Sequence, residues 1–130
     1  MNKEQIRSLL DHLGVASRID DDGDLAVTLD ADDTFPHDVT IWIPVEDGRR
    51  LSFIAAASDF RPEGDLLLMA NRNNRRRNYP TAVVRKGEIR MEYSFLITEE
   101  VSDDFLTSCL RQQISGIWAA FSDFEKEDSE

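Results

Sequence analysis

The sequence predicts an α+β fold, an antiparallel β-sheet with helices packed against it. Three features of the pattern predict this class. A helical apolar repeat comes first, segments in which apolar and polar residues alternate follow it, and an unbroken apolar run at residues 66–70 interrupts the alternation. A second group of alternating segments and a long helical stripe come after that run. The resulting order, α-β-β-β(-β)-α-β-β-α, is typical of a sheet with helices on one face.

The first helix is predicted at residues 2–13. Asn2 suits its N-cap, and Gly14 suits the left-handed position that often follows a helix end. The apolar residues repeat at intervals of three and four and so form one face: Ile6, Leu9, Leu10 and Leu13. The helix is therefore expected to pack on the sheet through that face.

Strands are predicted on both sides of the central apolar run. Residues 24–30, 39–45 and 51–57 alternate clearly, and residues 15–20 form either a short extra strand or none. Asp-Gly turns connect two pairs of these segments, which favours an antiparallel meander. After the central run, two more strands are predicted, ending near Lys86 and Ile97.

Residues 62–78 are predicted to form the central helix. Pro62 suits a first helical position, because its missing N–H could not be bonded there. Glu63 and Asp65 near the start and the arginines near the end complement the helix dipole. Because residues 66–70 are apolar all round, this helix is expected to be buried on several sides.

The last helix is predicted to begin after Ser102, which suits its N-cap. An apolar stripe runs through it as far as Phe124. Residues 125–130 are nearly all charged and are expected to form an acidic disordered tail. Residues 1–124 are accordingly predicted to form a single domain.

The charge of the chain is strongly acidic. Its 130 residues include 26 acidic and 15 basic ones, a formal net charge of −11. Such a charge repels nucleic acid and anionic membranes and attracts a basic partner segment. The single cysteine excludes an internal disulfide. Together with the polar start of the sequence and its short apolar runs, it predicts a cytoplasmic protein without membrane association.

No set of residues predicts catalysis, a cofactor or a bound metal. His12 and His37 are the only histidines, and neither lies within a spaced set of cysteine or carboxylate ligands. Cys109 falls on the apolar stripe of the last helix, where an inert buried thiol is expected. We therefore expect a protein that is not an enzyme, and an enzyme of unknown type is the least favoured alternative.

The most concentrated basic charge lies near the end of the central helix, at Arg72, Arg75, Arg76 and Arg77. Three interpretations of this run stay open. It can be a solvated helix end that balances the dipole and neighbouring acids. It can be a contact for an anionic partner, either an acidic protein or nucleic acid. It can also meet the acidic surface of a second copy of the chain.

Trp42 and Phe35 are the candidates for an apolar partner surface. Trp42 alternates out of phase with the valine and isoleucine residues of its strand, so it lies on the outer face if one side of the sheet is open to solvent. Burial under a loop or a terminal helix is the alternative. An exposed Trp with polar neighbours would mark a contact surface for another protein.

Three segments resemble the YbjN family of bacterial domains, which share the fold of type III secretion chaperones. They are residues 39–57 (VTIWIPVEDGRRLSFIAAA), residues 66–74 (LLLMANRNN), and residues 81–110, a hairpin followed by the start of a helix. The resemblance implies a regulatory protein with no catalytic residues. It also implies a relation to secretion chaperones, which are small acidic homodimers that hold an extended partner segment and usually have three strands before the central helix.

The residues and the resemblance together predict a non-enzymatic protein–protein interaction module that is chaperone-like, adaptor-like or regulatory. It is expected to form a homodimer. Trp42, Phe35 and the four arginines are its predicted partner-binding residues. A regulator that binds nucleic acid through the arginines is the alternative.

Overall fold

The computed structural model describes residues 1–46, 48–97 and 99–129, and within them the chain forms three helices and seven strands. The helices are α1 (Lys3–His12), α2 (Leu66–Arg76) and α3 (Asp103–Ser129). The strands are β1 (Ser17–Ile19), β2 (Leu25–Leu29), β3 (Val39–Trp42), β4 (Val45–Glu46), β5 (Arg50–Ala56), β6 (Thr81–Arg85) and β7 (Glu88–Leu96). The predicted α+β class is confirmed.

These strands form one antiparallel sheet in the order β1-β2-β3-β5-β7-β6, with the two-residue β4 paired to β5 beside this path. The early strands follow one another as the predicted meander. The short segment at residues 15–20 does form a strand, because Ser17–Ile19 pairs with β2. After α2 the chain enters at the sheet edge as β6 and returns as β7 beside β5. The predicted order of elements is confirmed, with β4 as an addition.

The hydrophobic core lies on one face of the sheet. Each strand of the core contributes the apolar side chains of a single alternation set, such as Ile41, Phe53 and Met91. The helices α1 and α3 supply the other side of the core: Ile6, Leu9, Leu10, Leu106, Leu110, Ile117, Ala120, Phe121 and Phe124. The second alternation set of the strands points away from these helices.

Both predicted N-caps are confirmed. The Asn2 side chain accepts a hydrogen bond from the Gln5 N–H at 2.9 Å, and the Ser102 hydroxyl accepts one from the Phe105 N–H at 3.1 Å. Gly14 has φ +74°, the left-handed conformation expected after α1. The helix starts of α1 and α3 therefore follow directly from local side-chain chemistry.

The start of α2 differs from the prediction. The helix begins at Leu66, because Asp65 is its N-cap and accepts a hydrogen bond from the Leu68 N–H at 3.2 Å. Pro62 lies in the preceding loop and is not a first helical residue. The helix ends at Arg76, two residues before the predicted end.

The predicted burial of α2 on several sides is wrong. Leu67 is 65% exposed and Leu68 is 47% exposed, although both belong to the apolar run. The buried residues lie on one side of the helix: Met69, Ala70 and Asn73. α2 packs chiefly against β6, a single edge strand, and contacts β7 and α3 less, so the side of the helix that carries Leu67 and Leu68 stays exposed.

The last helix is longer than predicted, and the expected disorder of residues 125–130 is not observed where the structure describes them. α3 continues to Ser129. Its final turn is held by Asp128, whose carboxylate accepts the N–H groups of Glu63 and Gly64, each at 2.9 Å. Asp128 thus has partners in the loop before α2, and Glu127 pairs with Arg72 and Arg76 of α2. No helix of the described residues is long and apolar enough to cross a membrane.

Candidate interaction surface

The second alternation set of the strands forms a surface that no helix of the described residues covers, and we call it the open face. Two side-chain hydrogen bonds join positions of this set, Ser52 to Ser94 at 2.9 Å and Arg18 to Thr28 at 2.7 Å. The set consists of Arg18, Ala26, Thr28, Thr40, Trp42, Glu46, Arg50, Ser52, Ile54, Ala56, Thr81, Val83, Arg85, Glu88, Arg90, Glu92, Ser94 and Leu96.

Trp42 lies near the middle of the open face. In the strand register it is opposite Ala26 on one side and Ile54 on the other. Trp42, Ile54 and Val83 belong neither to the core cluster nor to the side chains packed against it. Each is half-buried, because neighbouring strands shield the flanks of its side chain. Trp42 and Ile54 are neighbours in the register and form an apolar centre, whereas Val83 lies beyond β7 on the edge strand β6.

Phe35, the second predicted surface aromatic, is a core residue. Its side chain is 0% exposed, and its ring centroid lies 5.2 Å from that of Phe60 and 5.6 Å from that of Trp118. The prediction that Phe35 is exposed is therefore wrong. Asp32 explains the position, since its carboxylate accepts the Phe35 N–H at 3.0 Å and turns the loop inward towards α3.

The arginine run at the end of α2 is largely paired within the chain. Arg76 and Arg72 both approach Glu127, the latter at 3.9 Å, and Arg77 pairs with Asp123. These contacts match the interpretation in which the run balances neighbouring acids. Arg75 is exposed and forms no ion pair with another described residue. The four guanidinium groups do not converge on one free site.

Two asparagines on α2 bind the edge of the sheet, a role that the sequence does not predict. The Asn74 side chain accepts the Ala82 N–H at 2.7 Å and donates to the Ala82 carbonyl at 3.0 Å. Asn73 is buried and donates to the Pro80 carbonyl at 3.1 Å. Because β6 is an edge strand, Asn74 occupies backbone groups that a further strand would otherwise use. In the sequence, the only indication of this role is that Asn73 and Asn74 follow the apolar run at residues 66–70.

A second exposed apolar surface lies on α2, and the sequence does not predict it. The Leu67 and Leu68 side chains are exposed next to the polar residues Asn71 and Arg75. The sequence indicated an apolar helix but not which of its leucines would lack partners. That outcome depends on the edge position of the strand under α2.

The two histidines and the single cysteine lie apart from one another and form no common site. His12 is exposed at the end of α1. The ring centroid of His37 lies 5.1 Å from that of Phe35, with the two rings tilted, and its Nε2 lies 3.9 Å from the Glu125 carboxylate. Cys109 is buried, and its desolvation raises the pKa of its thiol. No group of three or more His, Cys, Asp or Glu residues in the described ranges could hold a metal ion.

The geometry thus defines an α+β protein whose sheet is covered by helices on one face and carries apolar and arginine side chains on the other. A model of the YbjN family, described as "Putative bacterial sensory transduction regulator", matches residues 2–126. The chain belongs to this family.

Comparison with solved structures gives the same fold. The chain is similar to the crystal structure of YbjN from E. coli, described as "a putative transcription regulator", with a TM-score of 0.73 and 17% sequence identity. The similarity covers 98% of this chain and 93% of that one. No curated protein matches the sequence.

Proposed function

We propose that this protein is a non-enzymatic, regulatory or adaptor module that binds a protein partner on its open face, with Trp42 at the centre. One observation supports this most directly. Trp42, Ile54 and Val83 belong neither to the core cluster nor to the side chains packed against it, although all three are apolar. The core would not require apolar residues at these positions, so their presence favours a role at a surface that becomes covered.

The type of residue also supports the proposal. Trp and Arg are enriched among the residues that contribute most to binding energy, and the open face presents both. The regulatory description of the family agrees with a binding role rather than a catalytic one. The proposal includes a cytoplasmic location, which the single cysteine favours.

The test compares partner capture by Trp42→Ala and Phe105→Ala. Phe105 is 47% exposed at the start of α3, the helix that packs on the opposite side of the sheet, so it is a large exposed aromatic outside the open face. We expect Trp42→Ala to capture at least about tenfold less partner from a nuclease-treated lysate of the source organism. A tenfold loss of affinity corresponds to about 1.4 kcal/mol of binding free energy. Phe105→Ala should capture as much partner as the wild type does.

Stability measurements on the same variants separate binding from folding. Phe35→Ala provides the reference for a core position and should lower the free energy of unfolding by about 3–5 kcal/mol. Trp42→Ala should lower it by less than half as much, because its side chain is outside the core. If Trp42→Ala unfolds the protein, or if capture survives it, the proposal is wrong.

We also propose that the protein forms a homodimer through α2. Leu67 and Leu68 are exposed, and Arg75 has no partner among the described residues. An antiparallel pairing of two α2 helices about a twofold axis would bring Arg75 of each copy towards the acidic start of the other helix, at Asp65. Such pairing combines apolar contact with charge complementarity.

Sedimentation analysis of Leu67→Lys tests this dimer. We expect the variant to be monomeric at concentrations where the wild type is dimeric. Leu96→Lys is the control, since Leu96 is 66% exposed but lies on β7. Equal dissociation of both variants, or a monomeric wild type, would exclude α2 as the interface.

Nucleic acid is the less favoured partner. Three of the four arginines at the end of α2 and just after it approach acidic residues of α3 and are not free to neutralise phosphates. A salt-sensitive shift of DNA or RNA that disappears in Arg75→Gln would reverse this preference.

A further inference from the structure

The charge of the open face differs from that of the rest of the chain. Of 15 basic and 26 acidic residues, four arginines and three glutamates lie on this face, which leaves 11 basic and 23 acidic residues elsewhere. The net charge is thus +1 on the open face and −12 over the remainder of the sequence. The members on the open face are Arg18, Arg50, Arg85, Arg90, Glu46, Glu88 and Glu92.

The glutamates of the open face are balanced from within the chain. Arg61 lies 3.4 Å from Glu88, and Arg85 lies 3.9 Å from Glu92. Glu46 is directly opposite Arg50 in the register of β4 and β5. The positive charge that remains on this face therefore belongs to its other two arginines.

Those two arginines are Arg18 and Arg90, and neither has an acidic partner among the described residues. Arg18 donates to the Thr28 hydroxyl at 2.7 Å. Nε of Arg90 is buried and has no hydrogen-bond partner. The guanidinium has further N–H donors besides Nε, so a carboxylate that reached Arg90 from outside would gain a charge-assisted hydrogen bond.

Arg18 and Arg90 lie on opposite sides of the apolar centre. In the register, Arg18 is followed across the sheet by Ala26, Trp42, Ile54 and, on β7, Glu92. Arg90 lies on β7 two residues before Glu92 and opposite Ala56, so a line from Arg18 to Arg90 crosses the strands obliquely. Four steps between neighbouring strands, each of about 4.8 Å, and a shift of two residues along β7 separate the two arginines by roughly 20 Å. A helix rises about 1.5 Å per residue, so carboxylates about 13 or 14 residues apart would match this spacing.

We propose that the open face binds an amphipathic helix of another protein, which crosses the strands with its apolar side on Trp42 and Ile54 and its carboxylates on Arg18 and Arg90. This inference rests on the proposed function and specifies the chemistry of the partner. Arginine suits this task, because its planar fork binds carboxylates in bidentate geometry. Acidic segments are repelled by the rest of the acidic surface, so the open face is the region that admits them.

The test uses defined peptides. A labelled 18-residue helical peptide carries leucines on one side and glutamates near both ends, and its counterpart carries lysines in place of the glutamates. Fluorescence anisotropy measures binding to wild type, to Arg18→Gln/Arg90→Gln, and to the control Arg111→Gln/Lys126→Gln. The control removes the same charge from exposed positions of α3.

We expect saturable binding of the acidic peptide that weakens about tenfold in Arg18→Gln/Arg90→Gln and less than about twofold in the control. Absence of binding by the acidic peptide, tighter binding of the lysine peptide, or equal weakening in both double variants would overturn the inference. Tighter binding of a single-stranded oligonucleotide, lost in the same double variant, would overturn it in favour of nucleic acid.

The peptide experiment also distinguishes this inference from the proposed function. If Trp42→Ala abolishes capture of the natural partner while Arg18→Gln/Arg90→Gln does not change it, the open face still binds a protein. In that case the acidic character of the partner is wrong. If neither variant changes capture, the proposed function fails as well.

Discussion

Gln113 is a fully buried polar residue of α3, and neither its amide oxygen nor its amide nitrogen has a hydrogen-bond partner among the described residues. Burial of an unsatisfied amide costs about 1–3 kcal/mol. We predict that Gln113→Met raises the free energy of unfolding by about 1 kcal/mol in urea titration. Gln112→Met, at the exposed neighbouring position, should change it by less than about 0.5 kcal/mol. Destabilisation by Gln113→Met would indicate a structural role for the amide.

Asp32 gives a pH dependence with a defined sign. Its carboxylate accepts from the Thr34 hydroxyl at 2.7 Å and from the Phe35 N–H at 3.0 Å, and these bonds, the first above all, lower the pKa of Asp32 below 3.8. A carboxylate with a lowered pKa in the folded state stabilises the protein above its unfolded-state pKa, and this stabilisation disappears as pH falls through the folded-state pKa.

We therefore predict that wild type is more stable than Asp32→Asn near neutral pH and that the difference vanishes at acidic pH, below 3.8. Urea titrations at several pH values measure the difference. Thr34→Val removes the hydroxyl donor to Asp32 and should reduce the stability difference between the variants with Asp32 and with Asn at this position. A difference that stays constant throughout the acidic range would mean that the loop is not stabilised by the ionised carboxylate.

Phe35 and Trp42 show which residue-scale features can be predicted from sequence. The side of Trp42 follows from alternation within β3, a local property, and Trp42 does lie on the face without helices. The burial of Phe35 depends on α3, which lies more than 60 residues further along the chain. No local pattern contains that contact, so sequence reasoning could not separate an exposed aromatic from a buried one.

At the scale of elements, the contact between α2 and β6 controls the edge of the sheet. Asn74 forms two hydrogen bonds with the backbone of Ala82. We predict that Asn74→Ala lowers the free energy of unfolding by about 1–3 kcal/mol and accelerates amide hydrogen exchange at Ala82. Asn71→Ala, at an exposed position of the same helix, should do neither. Unchanged exchange at Ala82 in Asn74→Ala would contradict the assignment.

The elements themselves were largely predictable, and the reason is local. Strands such as β7 follow from alternation, and the starts of α1 and α3 follow from their capping residues. The limits of α2 were not predictable to the same degree, since Pro62 and Asp65 both suit a helix start. The end of α3 depends on bonds from Asp128 to a distant loop, which composition alone did not reveal.

At the scale of the whole molecule, the net charge of −11 opposes the compact state. Added salt screens this repulsion, and it also weakens the partly buried ion pairs that the arginines at the end of α2 form with α3. We predict that the free energy of unfolding rises when NaCl is increased from about 20 mM to about 300 mM. Amide exchange in the last turns of α3 should become faster over the same range.

Glu127→Gln is the matched variant for this prediction. It removes the acid that Arg72 and Arg76 approach, so fewer attractive contacts remain to be screened. Its stability should therefore increase more steeply with NaCl than that of the wild type. A wild-type stability that decreases with salt would show that specific ion pairs outweigh the general repulsion.

The position of α3 in the chain has a consequence for biosynthesis. α3 follows every strand, and it supplies Leu106, Leu110 and Phe121 to the core that covers the inner side of the sheet. A ribosome adds about 5–20 residues per second, so the 27 residues of α3 take seconds to appear. Throughout that interval the apolar inner side of the nascent sheet lacks the cover of α3. We expect chaperones that bind nascent chains to bind this apolar surface, and chains truncated before α3 to aggregate.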